Sequence, residues 1–131
     1  DSESRGLGDV YKRQDLEKTF KGIMVSSGNS FVHETESQVI LNGSYNINFT
    51  MDLVLKDTSL FNNLAKKLNA SLELSPLIVK TFKDGLEKYG PRAWSSMIVK
   101  RMEDLNSINF RAKGFPSELI DNEPEKKGYE I

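Results

Sequence analysis

Lys56 and Asp57 stand side by side in Phe49-Thr-Met-Asp-Leu-Val-Leu-Lys-Asp-Thr-Ser-Leu60, the first turns of what reads as the longest helix of the chain. Wound at about 100° per residue, Phe49, Leu53, Leu60, Leu64 and Leu68 gather along one side as an apolar stripe that is expected to face a core. Asp57 falls in the middle of that stripe and Lys56 on its edge, in line with Phe49 and Leu53. A carboxylate on an apolar face costs roughly several kcal/mol unless it is paired or hydrogen-bonded. Either Asp57 makes a structural salt bridge or cap, or the pair belongs to a site. His33, the single histidine, has no Ser or Cys nucleophile at a readable spacing and no second metal ligand in a motif. It reads as solvent-facing or hydrogen-bonded, so no catalytic residue and no metal site is assigned within the chain.

The elements that must position these residues read as helices. Asp15 caps a short helix in which Leu16, Phe20, Ile23 and Met24 recur at helical intervals. The turn Ser26-Ser-Gly-Asn-Ser30 ends it and caps a second helix from about Phe31 to Leu41, closed by Asn42-Gly43. The central helix is expected from about Thr50 to Leu68. Ser75 as N-cap and Pro76 at the first helical position open the next, whose inner face is Ile78, Phe82, Gly85, Leu86 and Tyr89. Gly85 on that face suggests a close approach, and Gly90-Pro91 ends the helix. A last helix from about Ala93 to Leu105 places Trp94, Met97, Ile98, Met102 and Leu105 on one side. No strand pattern exceeds a few residues, so the fold class is all-α, an irregular bundle of about five helices.

Composition limits the rest. The 131 residues, 37% hydrophobic and 28% charged, suffice for one modest core. A formal charge of −1 offers no basic field for nucleic acid. No cysteine is present, which excludes disulfides and thiolate metal sites. The apolar runs are too short for a membrane span, and no partner in a membrane is expected. Sequons at Asn42, Asn48 and Asn69 read as chance matches, because no secretory signal accompanies them. Residues 1–14 lack apolar periodicity, and Asp9-Val-Tyr-Lys-Arg-Gln14 resembles the in-frame translation of a sequencing adapter, so this segment reads as a disordered cloning artefact. Residues 15–105 read as the helical domain. Residues 106–131 read as a polar extension that is extended or mobile, with Phe110, Phe115, Leu119 and Ile120 pinning its first half.

The pattern Phe49-x-x-x-Leu53-x-x-Lys56-Asp57-x-x-Leu60 resembles the Phe-x-x-x-Leu-x-x-Lys-Asp-Leu signature of the β-hydroxyacid dehydrogenases, in the NAD-binding, all-helical C-terminal domain of the 3-hydroxyisobutyrate dehydrogenase group. Three more segments agree in order and spacing: Val25-Ser-Ser-Gly-Asn-Ser30, Ser75-Pro-Leu77 and Tyr89-Gly90. The resemblance runs from about Asp15 to Glu103. It departs where the family often carries an Asp before the serine that matches Ser95, since Ala93 and Trp94 occupy that region.

The resemblance implies a fold like the C-terminal domain of 6-phosphogluconate dehydrogenase, and an NAD- or NADP-dependent oxidoreductase acting on the CH–OH group of a small 3-hydroxyacid. It implies that Lys56 contacts the cofactor, that Phe49 borders the nicotinamide and substrate region, and that Asp57 supports nearby cations. The Rossmann domain and the catalytic lysine of such enzymes lie N-terminal to the counterpart of Asp15. The sequence has no Gly-x-Gly-x-x-Gly turn, so the chain is expected to be a C-terminal fragment, inactive alone. A homo-oligomer and a cytoplasmic location, or a mitochondrial matrix one, are also implied. The competing reading is a non-catalytic helical interaction module. A 6-phosphogluconate dehydrogenase relative ranks lower, because that helical domain is larger.

Overall fold

A computed structural model describes residues 15–125 and 127–129, so the adapter-like segment 1–14 lies outside the described residues. The Asp15 carboxylate accepts from the Lys18 N–H at 3.2 Å and caps α1, Leu16–Met24. Ser30 does the same for α2, Phe31–Asn42, accepting from the His33 N–H at 2.9 Å. Gly43, at φ +93°, closes α2 in a left-handed conformation that an L side chain rarely adopts, and its N–H reaches Val39 and Ile40 carbonyls. The expected ends of both helices agree with the structure to within one residue.

α3, Met51–Lys67, and α4, Leu74–Tyr89, run antiparallel as a hairpin: Ser75 at the start of α4 bonds Asn62, while Gly85 near its end meets Met51 at the start of α3. An alanine Cβ at position 85 would lie 2.8 Å from the end of Ile98 and 3.4 Å from Met51, so the close approach expected at Gly85 is present. α4 begins at Leu74 with Glu73 at its N-cap, earlier than expected, and Ser75 is not the cap. Pro76 is still tolerated there, since the N–H groups of a first helical turn have no intrahelical partner. Gly90 ends α4 as expected.

The apolar stripe of α3 does not face the core, which corrects the expectation for Asp57 as well. Leu60, Leu64 and Leu68 are exposed and so is Asp57. The face turned inward carries Met51 and Ala65, both buried, with Leu55 and Thr58 half-buried. Small side chains at 58 and 65 let α4 approach α3 closely, and the bulky leucines are left on the outside.

The expected last helix, Ala93–Leu105, is interrupted. Trp94 is extended and pairs with Thr50 in an isolated antiparallel bridge, followed by a 3₁₀ turn, Ser95–Val99, and α5, Lys100–Asn106. The reason is the N-terminus of α3: Met51 N–H donates to Ala93 O at 2.8 Å and Asp52 N–H to Pro91 O at 3.0 Å, so residues 91–95 serve as its backbone cap. The tighter 3₁₀ winding then rotates the faces, burying Ser95, Ser96 and Glu103 and exposing Met102 and Leu105. Arg101 Nε to Asp84 at 2.6 Å and the Tyr89 hydroxyl to Asp104 at 2.6 Å tie α5 to α4. Among the described residues there are five α-helices and no strand, an all-α bundle whose deepest side chains include Val39, Met51 and Glu103.

Residues 107–125 have no helix or strand, as expected, yet the first part is held by more than apolar contact. Ala112 N–H donates to Leu41 O, Asn42 to Phe115 O and Ser44 to Ser117 O. The Phe115 ring stands edge-on to Phe20 with centroids 5.2 Å apart, whereas Leu119 and Ile120 remain exposed. The Tyr45 hydroxyl donates to buried Glu103, and burial together with that bond raises the phenol above its ordinary value.

Candidate cofactor-contacting face

Lys56 and Asp57 lie on the solvent side of α3, Nζ to Oδ1 3.2 Å apart, with side chains 60% and 57% exposed. An adjacent, water-screened pair of this kind contributes little to stability. Apart from the side turned to Asp57, the Lys56 ammonium has its donors open to solvent. Phe49 precedes α3, seven positions before Lys56, so the ring and the ammonium are separated by roughly 10 Å along the helix direction at the usual rise. Its backbone is fixed by Ser95 N–H donating to Phe49 O at 2.9 Å, while 37% of the residue stays exposed.

The three residues do not share one pocket. Phe49 borders a cleft of about 570 Å³ formed by α2, α3, α4 and the 3₁₀ turn, where Glu36, Val54, Phe82, Ser95 and Ser96 are also found. Asp57 lines a different groove, between α3 and the start of α4. Within the Phe49 cleft, Glu36 is half-buried and its carboxyl is raised above the ordinary value by desolvation. Nothing in the sequence marks Glu36, because its burial depends on α3 and the 3₁₀ turn folding over α2. His33 lines the same cleft, its Nε2–H donating to Phe20 O at 3.0 Å and its Nδ1 accepting from the Ser37 hydroxyl at 3.0 Å, in keeping with the hydrogen-bonded reading. No group of three or more metal-ligating side chains occurs among the described residues, and no helix there is long and apolar enough to cross a membrane.

Residues 14–102 match the family described as NAD-binding of NADP-dependent 3-hydroxyisobutyrate dehydrogenase. The chain belongs to this family. The dehydrogenase domain therefore comes from an oxidoreductase family whose cofactor is a nicotinamide dinucleotide, and its helical fold fits that assignment. No curated protein matches the chain. The domain exposes the Lys56 ammonium on α3, and Phe49 remains 37% exposed where the chain enters that helix. Ala93, in the region where the resembled signature often has an acid, takes part through its carbonyl on the Met51 N–H. The Asp52 carboxylate accepts from a further N–H of this helix start, that of Leu53, at 2.9 Å.

Proposed function

We propose that this domain forms the C-terminal wall of the cofactor and substrate cleft in an NAD(P)-dependent dehydrogenase of small 3-hydroxyacids. The observation that carries the reading is the match of residues 14–102 to that family, within which Lys56 is exposed on α3 and Phe49, its carbonyl held by the Ser95 N–H, is partly exposed at the entry to the helix. Lys56 donates to ribose or phosphate oxygens, and Asp57, 3.2 Å away, orients the ammonium and lowers the net charge it presents. Phe49 shields the reacting region from water and sets one edge of it. When bound, NAD or NADP supplies the hydride acceptor. In the enzymes this domain resembles, the acid/base lysine that takes the hydroxyl proton lies N-terminal to the counterpart of Asp15, and on this reading the 131 residues alone are expected to be inactive.

Two measurements test the reading. Fluorescence titration of NADPH and NADH onto a full-length parent enzyme should show weaker binding in the Lys56→Ala variant. The purified 131-residue chain, assayed with NAD and NADP against small 2- and 3-hydroxyacids, should show no turnover. Turnover above a blank would refute the assignment of the acid/base group, and unchanged cofactor affinity would remove Lys56 from the site.

A further inference from the structure

The C-terminal segment runs beside the loop that delivers Phe49 to α3, and in the same direction. Ala112 N–H donates to Leu41 O at 3.1 Å, the Asn42 amide to Phe115 O at 2.9 Å and the Ser44 hydroxyl to Ser117 O at 2.7 Å. Glu118 and Leu119 then line a cleft of about 490 Å³ together with Asn46, Asn48 and Trp94. Residues 107–119 lie beyond the stretch matched to the dehydrogenase family, which ends at residue 102.

The loop needs such a hold. Tyr45 and Asn48 both stand at φ +54°, in the left-handed region. Asparagine reaches that region readily, whereas a bulky tyrosine does so at a cost and stays there only where its surroundings over-determine it. For Tyr45 the surroundings come from two sides. On the bundle side, the Ser96 hydroxyl donates to Tyr45 O at 2.6 Å and buried Glu103 accepts from the phenol. On the other, Arg111 donates to the phenol oxygen at 2.8 Å, with its guanidinium carbon 5.1 Å from the ring centroid. The same arginine closes over Gly43, where an added Cβ would come within 2.6 Å of its Nε.

We propose that residues 110–119 form a brace that positions Phe49 at the edge of its cleft. Arg111, Phe115, Ser117 and Leu119 are then positioning residues, acting through the loop and touching no ligand. The proposal rests on the reading of Phe49 as a wall of the cofactor and substrate cleft, and adds what fixes that wall. Phe49 follows directly on the braced loop, and its carbonyl accepts from the Ser95 N–H at 2.9 Å. A loop freed of the brace relaxes its left-handed residues, and that bond is the first to feel the change. A segment serving only as apolar cover would bury its own side chains, yet Leu119 and Ile120 stay 40% and 49% exposed while the hydrogen bonds fall along the loop.

Hydrogen exchange on the 131-residue chain and on the same chain ended after Gly114 tests the brace. The shortened chain keeps Arg111 and its pairing with Glu103 but loses Phe115, Ser117 and Leu119. Its Ser95 amide should lose protection by at least about tenfold, while amides within α4 keep theirs. Should circular dichroism show lost helicity, Asn42→Ala with Ser44→Ala removes two of the bonds without shortening the chain and should give the same selective loss. Unchanged Ser95 protection in a folded variant, or a loss shared equally by α4, would overturn the proposal.

In a full-length dehydrogenase carrying this domain, the same shortening should lower kcat/KM by about tenfold and have no further effect on Phe49→Ala, since both act through one ring. An undiminished effect in the Phe49→Ala background would also overturn the brace. Full activity in Phe49→Ala would sink the cleft reading instead, and the exchange result would still decide whether the brace holds Phe49.

Discussion

Arg111 places its guanidinium 3.2 Å from the carboxylate of Glu103, a side chain only 1% exposed, and so fastens the C-terminal segment to α5. The same guanidinium donates to the Tyr45 hydroxyl at 2.8 Å, and the Phe110 N–H donates to Glu103 at 3.1 Å. A buried carboxylate that loses its cation retains its desolvation cost. Arg111→Met should therefore destabilise the domain by about 2 kcal/mol, less than for a fully enclosed pair because the tyrosine and backbone donors remain and the arginine is partly in water. Urea denaturation of the variant measures this. A change below 0.5 kcal/mol, on the order of a neutral surface substitution, would show that the clamp is dispensable.

Asp57 and Lys56 separate cleanly in their expected effects. With both side chains more than half exposed, Asp57→Ala and Lys56→Ala should each change the unfolding free energy of the isolated chain by no more than about 0.5 kcal/mol. In a full-length dehydrogenase carrying this domain, Lys56→Ala should weaken cofactor binding by roughly 1.5 to 3 kcal/mol, the range for a charge-assisted hydrogen bond. Melting curves and cofactor titration on the same preparations decide between a binding role and none.

Glu36 gives a pH dependence with a definite sign. Desolvation raises its folded-state value above the ordinary one, so in the window just above the ordinary value the unfolded chain has released a proton that the folded chain keeps. Its contribution to stability falls as pH rises through that window. Glu36→Gln removes the penalty, and its melting midpoint should exceed that of the parent at neutral pH and converge with it toward pH 4. Equal midpoints at neutral pH would show that the carboxylate is not penalised. Asp84 and Asp104, both held low chiefly by hydrogen bonds, from Arg101 and Tyr89 respectively, pull the other way in acid, but they are common to both proteins and cancel in the comparison.

Gly85 tests the packing of α4 on the bundle. Replacing glycine by alanine within a helix gains about 1 kcal/mol of propensity. Here the new methyl would stand 2.8 Å from Ile98 Cδ1, so the side chain must move and the gain should be largely cancelled. Ile98→Val removes that atom. The double variant Gly85→Ala with Ile98→Val should be more stable than the sum of the single changes by about 1 kcal/mol, a coupling readable from a double-mutant cycle.

The local signals were legible in the sequence and the packing choices were not. Caps and breakers act over a few residues, so Asp15, Ser30, Gly43 and Gly90 marked helix ends that the structure keeps. The spacing of Phe49, Leu53, Lys56, Asp57 and Leu60, with the ordered segments around it, carried the family assignment that the match over residues 14–102 supports. Periodicity, however, shows only that a helix has an apolar side, not what covers it. α3 has two usable faces, and the tertiary structure chose the one with Thr58 and Ala65 because α4 can come closest there. That choice left Leu60, Leu64 and Leu68 outside and put Asp57 in water. It also took the backbone of residues 91–95 to cap α3, which broke the expected last helix. The burial of Glu36, Glu103 and Tyr45 likewise arose only when segments far apart in sequence closed over them. Sequence spacing determines what a residue's own helix can present, whereas burial depends on the surface that arrives from elsewhere in the chain.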